Sequence, residues 1–258
     1  MRPSLIEKPV PLPFIATSRA AMGRKAAEDI ADEIRRRLQT QQSVRMIFAA
    51  APSQSEMLSA LMLMPGIDWS RVTAFHMDEY LGLAPDAPQR FGLWLRSAIF
   101  DHLPFAAVHL LDPGTDPESA AVAYADKLAA AAIDIVCCGI GANGHLAFND
   151  PPADLNDPAD VKVVQLDSAC RQQQVDDRCF DRFDDVPTHA LTLTVPRLLA
   201  ADRIFCCVPG ALKKKAVRRT LQDPISGLVP ATALRTHPNW SLYVDQDSAG
   251  DLASPEAQ

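Results

Sequence analysis

The chain has 258 residues, a formal net charge of −7 and a hydrophobic content of 48%, values typical of one large or two small globular domains. The acidic balance argues against non-specific nucleic-acid binding, which needs a basic surface. No apolar run reaches the roughly 20 residues of a membrane span, and the N-terminus lacks the apolar core of a signal peptide. We therefore expect a cytoplasmic protein that binds neither nucleic acid nor membrane.

Apolar runs of strand length alternate with helical patterns along the chain. A first helix is predicted over about 18–41, then a strand over 45–51 and a helix over 53–64 with Ser53 as its N-cap. Further strands are predicted at 71–78, 108–111, 133–140, 161–167, 189–195, 203–209 and 240–245, and further helices at 88–103, 116–132 and 211–222.

Continuous apolar strands separated by helices indicate a mainly parallel sheet covered on both faces. We therefore predict an α/β fold with a single doubly wound, Rossmann-like sheet. We expect a single α/β domain over 1–245 and a polar C-terminal tail over 246–258. Two adjacent cysteine pairs, at 137–138 and 206–207, lie inside apolar runs, so we expect them to be small core residues. The six cysteines contain no C-x-x-C spacing, so we expect neither a zinc site nor a disulfide framework.

Ligands of open α/β sheets bind beyond the carboxyl ends of the strands. Four segments follow predicted strands and should converge on one crevice: 51–55, 78–80, 141–150 and 209–215. Asp78 ends a buried run, so it is a candidate general base, although paired acids at a strand end are more often a solvated turn. His145 is a candidate acid–base group, although a lone histidine is more often structural. Asp150 is able to turn back and orient its imidazole.

Two segments suit an anion. Ser53 and Gln54 open a predicted helix, where free backbone N–H groups and the helix dipole favour negative charge. A run of three lysines begins at Lys213 and also opens a helix. Most lysine runs are solvated surface, but a bound anion would give one of these lysines a function.

Two stretches, "FHMDEYLGL" (75–83) and "GIGANGHLAFNDPP" (139–152), resemble the glucosamine-6-phosphate deaminase family, within the wider group that includes 6-phosphogluconolactonases. "VPTHALTLTVPRLLAA" (186–201) and "PGALKKKAV" (209–217) add weaker similarity. The resemblance extends over about residues 15–245. It implies isomerisation of an amino-sugar phosphate coupled to loss of ammonia, with no cofactor and no metal. The implied partner is a small sugar phosphate, and we expect a monomer or small homo-oligomer.

The resemblance also implies roles for individual residues. Asp78 matches the base that moves a proton from C2 to C1, and His145 matches the group that opens the pyranose ring. Asp150 matches the carboxylate that braces this histidine, and Lys213 matches a phosphate-binding lysine. Arg178 matches a phosphate-binding arginine, in competition with Arg171. The remaining catalytic candidate is Asn143 beside the histidine, and the remaining candidates for substrate or phosphate binding are Ser53, Gln54, Glu79 and Gly144.

The sequence departs from the family pattern at three places. Asn143 stands where many members have Asp, and Asp150 stands where Glu is usual. The first phosphate loop reads "AAAPSQS" (49–55) instead of a Gly/Thr-rich turn. These changes leave two alternatives open beside a deaminase acting on glucosamine 6-phosphate or a close hexosamine phosphate. One is a 6-phosphogluconolactonase-like hydrolase, and the other is a non-catalytic sugar-phosphate sensor.

Overall fold

The computed structural model describes residues 6–253. Residues 1–5 of the predicted domain and 254–258 of the predicted tail lie outside the described residues. The helices are α1 Arg19–Leu38, α2 Ser55–Met62, α3 Phe91–Leu95, α4 Pro117–Ala129, α5 Ser168–Asp176, α6 Val195–Leu199, α7 Lys214–Gln222 and α8 Gln246–Ala249. The strands are β1 Phe14–Ala16, β2 Val44–Phe48, β3 Val72–His76, β4 Asp78–Tyr80, β5 Ala107–His109, β6 Ile135–Cys138, β7 Val161–Gln165, β8 His189–Leu193, β9 Arg203–Val208 and β10 Trp240–Asp245.

Seven strands form the main sheet in the order β1-β10-β9-β6-β2-β3-β5, and all of their pairings are parallel. After β2 the chain builds outward through β3 and β5, and then returns to β6 on the other side of β2. The strand order therefore reverses between β2 and β6. In a doubly wound sheet this reversal opens a crevice at the carboxyl ends of the two strands.

A second, smaller sheet is antiparallel and has the order β4-β8-β7. The predicted mainly parallel, doubly wound sheet is confirmed, but the strands at 161–167 and 189–195 belong to this second sheet, so the expectation of a single sheet is corrected. An apolar run predicts that a strand is buried, but it does not predict which strand it pairs with. Composition therefore does not show which of the two sheets a strand joins. The second sheet lies beyond the end of β3, since β4 follows that strand after Met77.

Two hydrophobic cores cover the two faces of the main sheet. Neighbouring strand residues point to opposite faces, and Phe48 accordingly joins the core beneath α1 and α2 while Ile47 joins the core beneath α4 and α7. Cys137 and Cys138 divide between the two cores in the same way. The two adjacent pairs, Cys137–Cys138 and Cys206–Cys207, are buried in the two cores, which confirms that they are packing residues.

Most predicted elements are present, and their bounds shift by a few residues. Asp116 caps α4 as its side chain accepts a hydrogen bond from the Ser119 backbone N–H. The predicted N-cap role of Ser53 is wrong, because Pro52–Gln54 forms a 3₁₀ turn before α2. The helix predicted over 88–103 is α3 followed by a π-helical turn, Arg96–Phe100. Across residues 6–253, no helix combines the length and apolarity that crossing a bilayer requires.

The start of the predicted polar tail is ordered. Asp245 caps α8 through a reciprocal capping box with Ser248, and both Ser248 and Ala249 are buried. Helix α8 packs against α7 and β10 and so belongs to the same body as the preceding elements. A boundary between domain and tail at residue 245 therefore stays a prediction.

Candidate active site

One pocket opens at the carboxyl ends of β2, β3 and β6, where the strand order reverses. Three of its walls come from segments that the sequence analysis selected: Ala49–Gln54 after β2, Met77 and Asp78 after β3, and the glycine loop after β6. A fourth wall is the end of α5, and Lys213 enters from the turn before α7. The lining includes Ser53, Gln54, Asp78, His145, Gln173, Asp177 and Lys213.

Asp78 lies on the first residue of β4 and faces the pocket. Its backbone is fixed by antiparallel pairing with Thr192 of β8, and its side chain is almost fully buried. Burial raises the pKa of this carboxyl well above its usual value, and the nearby Glu79 carboxylate raises it further. A carboxylate with a raised pKa is a stronger base, so Asp78 suits proton abstraction from a bound ligand.

His145 is buried on another wall of the same pocket and is held by Asp150. Its Nδ1 lies 3.1 Å from Asp150 Oδ1. Burial would raise the pKa of Asp150, but its hydrogen bond and charge interaction with His145, together with bonds from Asn143 and the Asp167 backbone, lower it overall. Asp150 therefore stays ionised and fixes the imidazole in one orientation. The predicted pairing of the two side chains is present despite the shorter carboxylate.

Asn143 braces this pair without lining the pocket. Its Oδ1 accepts the His145 backbone N–H at 3.0 Å, and its Nδ2 donates to Asp150 Oδ1 at 3.0 Å and to Asp167 Oδ2 at 3.3 Å. An amide supplies both a donor and an acceptor, which this position needs because two carboxylates lie beside it. Asn143 is therefore a positioning residue in the structure.

The glycines of the loop make room for the imidazole. A Cβ on Gly141 would lie 2.2 Å from His145 Nε2, so only glycine leaves the ring in place. Gly144 has a φ of +92°, and a Cβ there would lie 2.8 Å from Val229 Cγ1. Gly144 is not among the lining residues. It turns the backbone behind His145 and does not reach the pocket as a binding group.

Lys213 supplies a buried cation to the pocket. Its side chain is 7% exposed, and within residues 6–253 no carboxylate oxygen lies within 4.0 Å of its Nζ. Burial lowers the pKa of Lys213, and the Asp177 carboxylate opposes this change. A buried ammonium without an ion-pair partner is costly unless a ligand provides the negative charge. This geometry favours an anionic group of the ligand beside Lys213. The part of the pocket lined by Lys213, Ser53 and Gln54 is called the anion end below.

Ser53 and Gln54 line the same pocket as Lys213, but their hydrogen bonds differ from the expectation. The Gln54 backbone N–H donates to Ala51 O at 2.9 Å, so it is not free for an anion as predicted. The Gln54 side chain instead donates to Ser53 Oγ at 3.1 Å and to Cys207 O at 3.2 Å. The 3₁₀ turn that begins at Pro52 uses the amide, since such a turn closes i→i+3 bonds.

The two arginines have different environments. Arg171 stacks over the Phe183 ring and donates to the backbone oxygens of Phe183 and Val186. Arg178 is exposed and lines a cavity next to the pocket, with Trp94 and Pro52 in its wall. Arg171 is thus occupied by structural contacts, whereas Arg178 borders a cavity that shares Pro52 and Phe91 with the pocket.

Glu79 does not face the pocket. Neighbouring residues of a strand point to opposite sides, so Glu79 points away from the Asp78 side. Its carboxylate accepts backbone N–H groups of Tyr80, Phe91 and Gly92 at 2.9 to 3.0 Å. It therefore anchors the start of α3, and the predicted substrate-binding role of Glu79 is corrected to a structural one.

Helix α5 contributes residues that the sequence analysis did not select. Gln173 Oε1 accepts the Ala142 backbone N–H at 2.7 Å, which ties α5 to the glycine loop. Asp177 lies at the end of the helix and lines the pocket. Cys170 lies below the histidine, and a ligand atom from each of His145, Asp150 and Cys170 falls within 4.8 Å of the others. Of the described residues, these three form the group that is closest to metal-ligand geometry.

The fold and the site together define an α/β protein with an acid–base pocket and an anion end at a strand-order reversal. A family model described as glucosamine-6-phosphate isomerases/6-phosphogluconolactonase matches residues 17–242. Glucosamine-6-phosphate deaminases of Bacillus thuringiensis (strain Al Hakam) and Bacillus cereus (strain G9842) are each 35% identical over 183 residues, which are 70% of this chain and 68% of theirs.

Solved structures agree with this likeness. A monomeric glucosamine-6-phosphate deaminase superposes with a TM-score of 0.83 at 26% identity, covering 92% of this chain and 98% of that one. The 6-phosphogluconolactonase of Trypanosoma brucei gives a TM-score of 0.80 at 18% identity, covering 96% and 100%, and so shares the fold. The chain therefore belongs to the family of glucosamine-6-phosphate isomerases and 6-phosphogluconolactonases.

Proposed function

We propose that the protein is an amino-sugar-phosphate deaminase. It converts glucosamine 6-phosphate, or a close hexosamine 6-phosphate, and water to the matching ketose phosphate and ammonia. The observation that carries the proposal is the pocket itself, in which the buried Asp78 carboxyl and the braced His145 imidazole share one space with the cation of Lys213. The similarity to curated deaminases over two thirds of their length supports the same reaction.

His145 begins the reaction in this proposal. The imidazole takes the proton from O1 of the pyranose and returns one to O5, which breaks the C1–O5 bond and opens the ring to the aldehyde. An imidazole is able both to accept and to donate a proton at a ring nitrogen, so it suits both transfers. Asp150 holds the ring through Nδ1 at 3.1 Å, so that Nε2 is left to face the substrate.

Asp78 performs the isomerisation. Its carboxylate takes the proton from C2 of the open-chain aldehyde while a proton passes from the substrate ammonium to O1, which forms an enol that carries the amine at C2. Asp78 then returns its proton to C1, which leaves a protonated imine at C2. Water adds to this imine carbon and ammonia leaves, giving the ketose. One carboxylate is able to serve neighbouring carbons because it carries the proton between them. Its raised pKa increases its strength as a base.

Lys213 binds the phosphate of the substrate. The ammonium lines the same pocket as Ser53 and Gln54. Arg178 closes on the same phosphate from the adjoining cavity in this proposal. We propose that the partner is this sugar phosphate alone, without a cofactor or metal. The cytoplasmic location and the monomeric or small oligomeric state also remain predictions.

The substitution Asp78→Asn tests the proposal against lactone hydrolysis. Removing the base should lower ammonia release from glucosamine 6-phosphate by about 10³-fold or more, since general base catalysis contributes factors of about 10² to 10⁴. Hydrolysis of 6-phosphogluconolactone by an activated water does not need a base at this position. Asp86→Asn, an exposed substitution outside the pocket, serves as the matched control. Ammonia release by Asp78→Asn at the rate of this control would contradict the proposal.

A further inference from the structure

Asp177 places a carboxylate in the wall of the anion end, where negative charge is unexpected. It follows the last residue of α5 and lines the same pocket as Lys213, Ser53 and Gln54. Its side chain is tied to the helix, because Asp177 Oδ2 accepts a hydrogen bond from Gln173 Nε2 at 3.2 Å. The bonds Arg178 N–H to Val175 O and Cys179 N–H to Gln174 O, both 2.9 Å, fix the turn that presents it.

Asp177 and Lys213 line the same pocket without forming an ion pair. Along residues 6–253, the ion pairs within 4.0 Å do not include this one, yet the Asp177 carboxylate acts on Lys213 through its charge. A ligand anion bound to the ammonium therefore also meets a carboxylate. A fully ionised oxygen would be repelled there, since like charges at close range destabilise each other.

A protonated phosphate resolves this conflict. A phosphate monoester has a second pKa near about 6, so it keeps one P–O–H group in mildly acidic solution. That hydroxyl donates to a carboxylate, while its other oxygens accept from the lysine and the serine. A sulfate monoester has the same shape and no proton to donate.

We propose that Asp177 makes the anion end selective for the singly protonated phosphate monoester over a sulfate monoester or a phosphate dianion. The proposal rests on the sugar-phosphate site described above and names the form of the anion that this site takes. Asp177 acts as a hydrogen-bond acceptor from the ligand, and Lys213 supplies the countercharge. The titratable groups around it are Lys213 across the pocket, Asp78 and His145 on its walls, and Arg178 and Cys179 on its own segment.

The test measures calorimetric binding of glucitol 6-phosphate and glucitol 6-sulfate, which have no carbonyl group to react. The wild-type protein should bind the phosphate about tenfold or more tightly than the sulfate at pH 5.5, as expected for one charge-assisted hydrogen bond. This ratio should fall toward pH 8, where the phosphate loses its proton. Asp177→Asn keeps an acceptor for Gln173 and adds an N–H donor, so its ratio should approach one at both pH values.

Asp176→Asn is the matched control, because it removes the same charge from the preceding, exposed residue of α5. Its phosphate-to-sulfate ratio should equal that of the wild type. Equal binding of both ligands by the wild type, or an equal change in both variants, would overturn the role of Asp177 and leave the sugar-phosphate site intact. Failure of the wild type to bind either ligand would overturn the proposed function together with this inference.

Discussion

The two ends of the pocket differ in how completely their polar groups are paired within the protein. At the glycine-loop end, His145, Asp150 and Asn143 bond to one another and to the Asp167 carboxylate and backbone. At the anion end, the Lys213 ammonium has no carboxylate oxygen within 4.0 Å among the described residues. The difference indicates that the proposed acid–base side chains are positioned before the substrate binds. At the anion end, by contrast, the positive charge of Lys213 is left for the ligand to neutralise.

Breaking the paired end should remove turnover while leaving binding. For His145→Gln, we expect kcat for ammonia release to fall by about 10² to 10⁴-fold, as for loss of an acid–base group. The dissociation constant of glucitol 6-phosphate should change by less than about threefold, because other side chains, Lys213 among them, hold the anion. Steady-state kinetics and calorimetry measure the two quantities. A large loss of binding with kcat retained would contradict the division between the ends.

Restoring the usual family residue should weaken the paired end. Asn143→Asp removes the two N–H bonds to Asp150 and Asp167 and places a third carboxylate beside them. We expect the free energy of unfolding at pH 7 to fall by about 1 to 3 kcal/mol. Chemical denaturation measures this change, and Asn143→Ala, which removes the donors without adding charge, separates the two causes. The extra loss from Asp should shrink as the pH is lowered, because protonation of the introduced carboxyl removes its charge.

The buried Asp78 carboxyl should lower the free energy of unfolding once it ionises. The pKa of Asp78 is raised in the folded protein, so the folded state holds this proton more tightly than the unfolded state does. The protonated Asp78 carboxyl therefore stabilises the folded state fully below the ordinary pKa of Asp, and this stabilisation is lost as pH rises through the raised pKa. Asp78→Asn should increase the free energy of unfolding above that range, by about 1.4 kcal/mol for each unit of the shift.

Denaturation curves of Asp78→Asn and wild type between pH 4 and pH 8 measure this effect. The gain in stability of the variant should grow with pH across the interval. A gain that is constant with pH, or a loss at pH 8, would show that the carboxylate is not held in an environment that opposes its ionisation. Asp86→Asn again provides the control, since that side chain is exposed.

The sequence predicts the paired end better than the anion end, for a physical reason. His145 and Asp150 lie five residues apart in one loop after an apolar strand, so both the strand and the turn residues signal their position. Asp78 is found in the same way. These features are local, and the rule that ligands bind beyond strand ends joins them in space.

The anion end depends on segments whose patterns are weak. Helix α5 buries only Cys170 and Gln174 of its nine residues, so it has little apolar periodicity and was not predicted. Asp177 was missed with it. The second sheet was also missed, because β4 has three residues and its pairing with β8 joins positions more than a hundred residues apart. Side-chain direction explains the error at Glu79, since adjacent residues of β4 face opposite ways.

Ammonia release by the wild-type protein tests the central claim most directly. The panel is glucosamine 6-phosphate, galactosamine 6-phosphate and 6-phosphogluconolactone, with ketose phosphate and acid production followed in parallel. The account predicts that one hexosamine 6-phosphate gives ammonia and the matching ketose phosphate in equal amounts, without an added cofactor or metal. Binding of both hexosamine phosphates without any ammonia, or hydrolysis of the lactone alone, would contradict it.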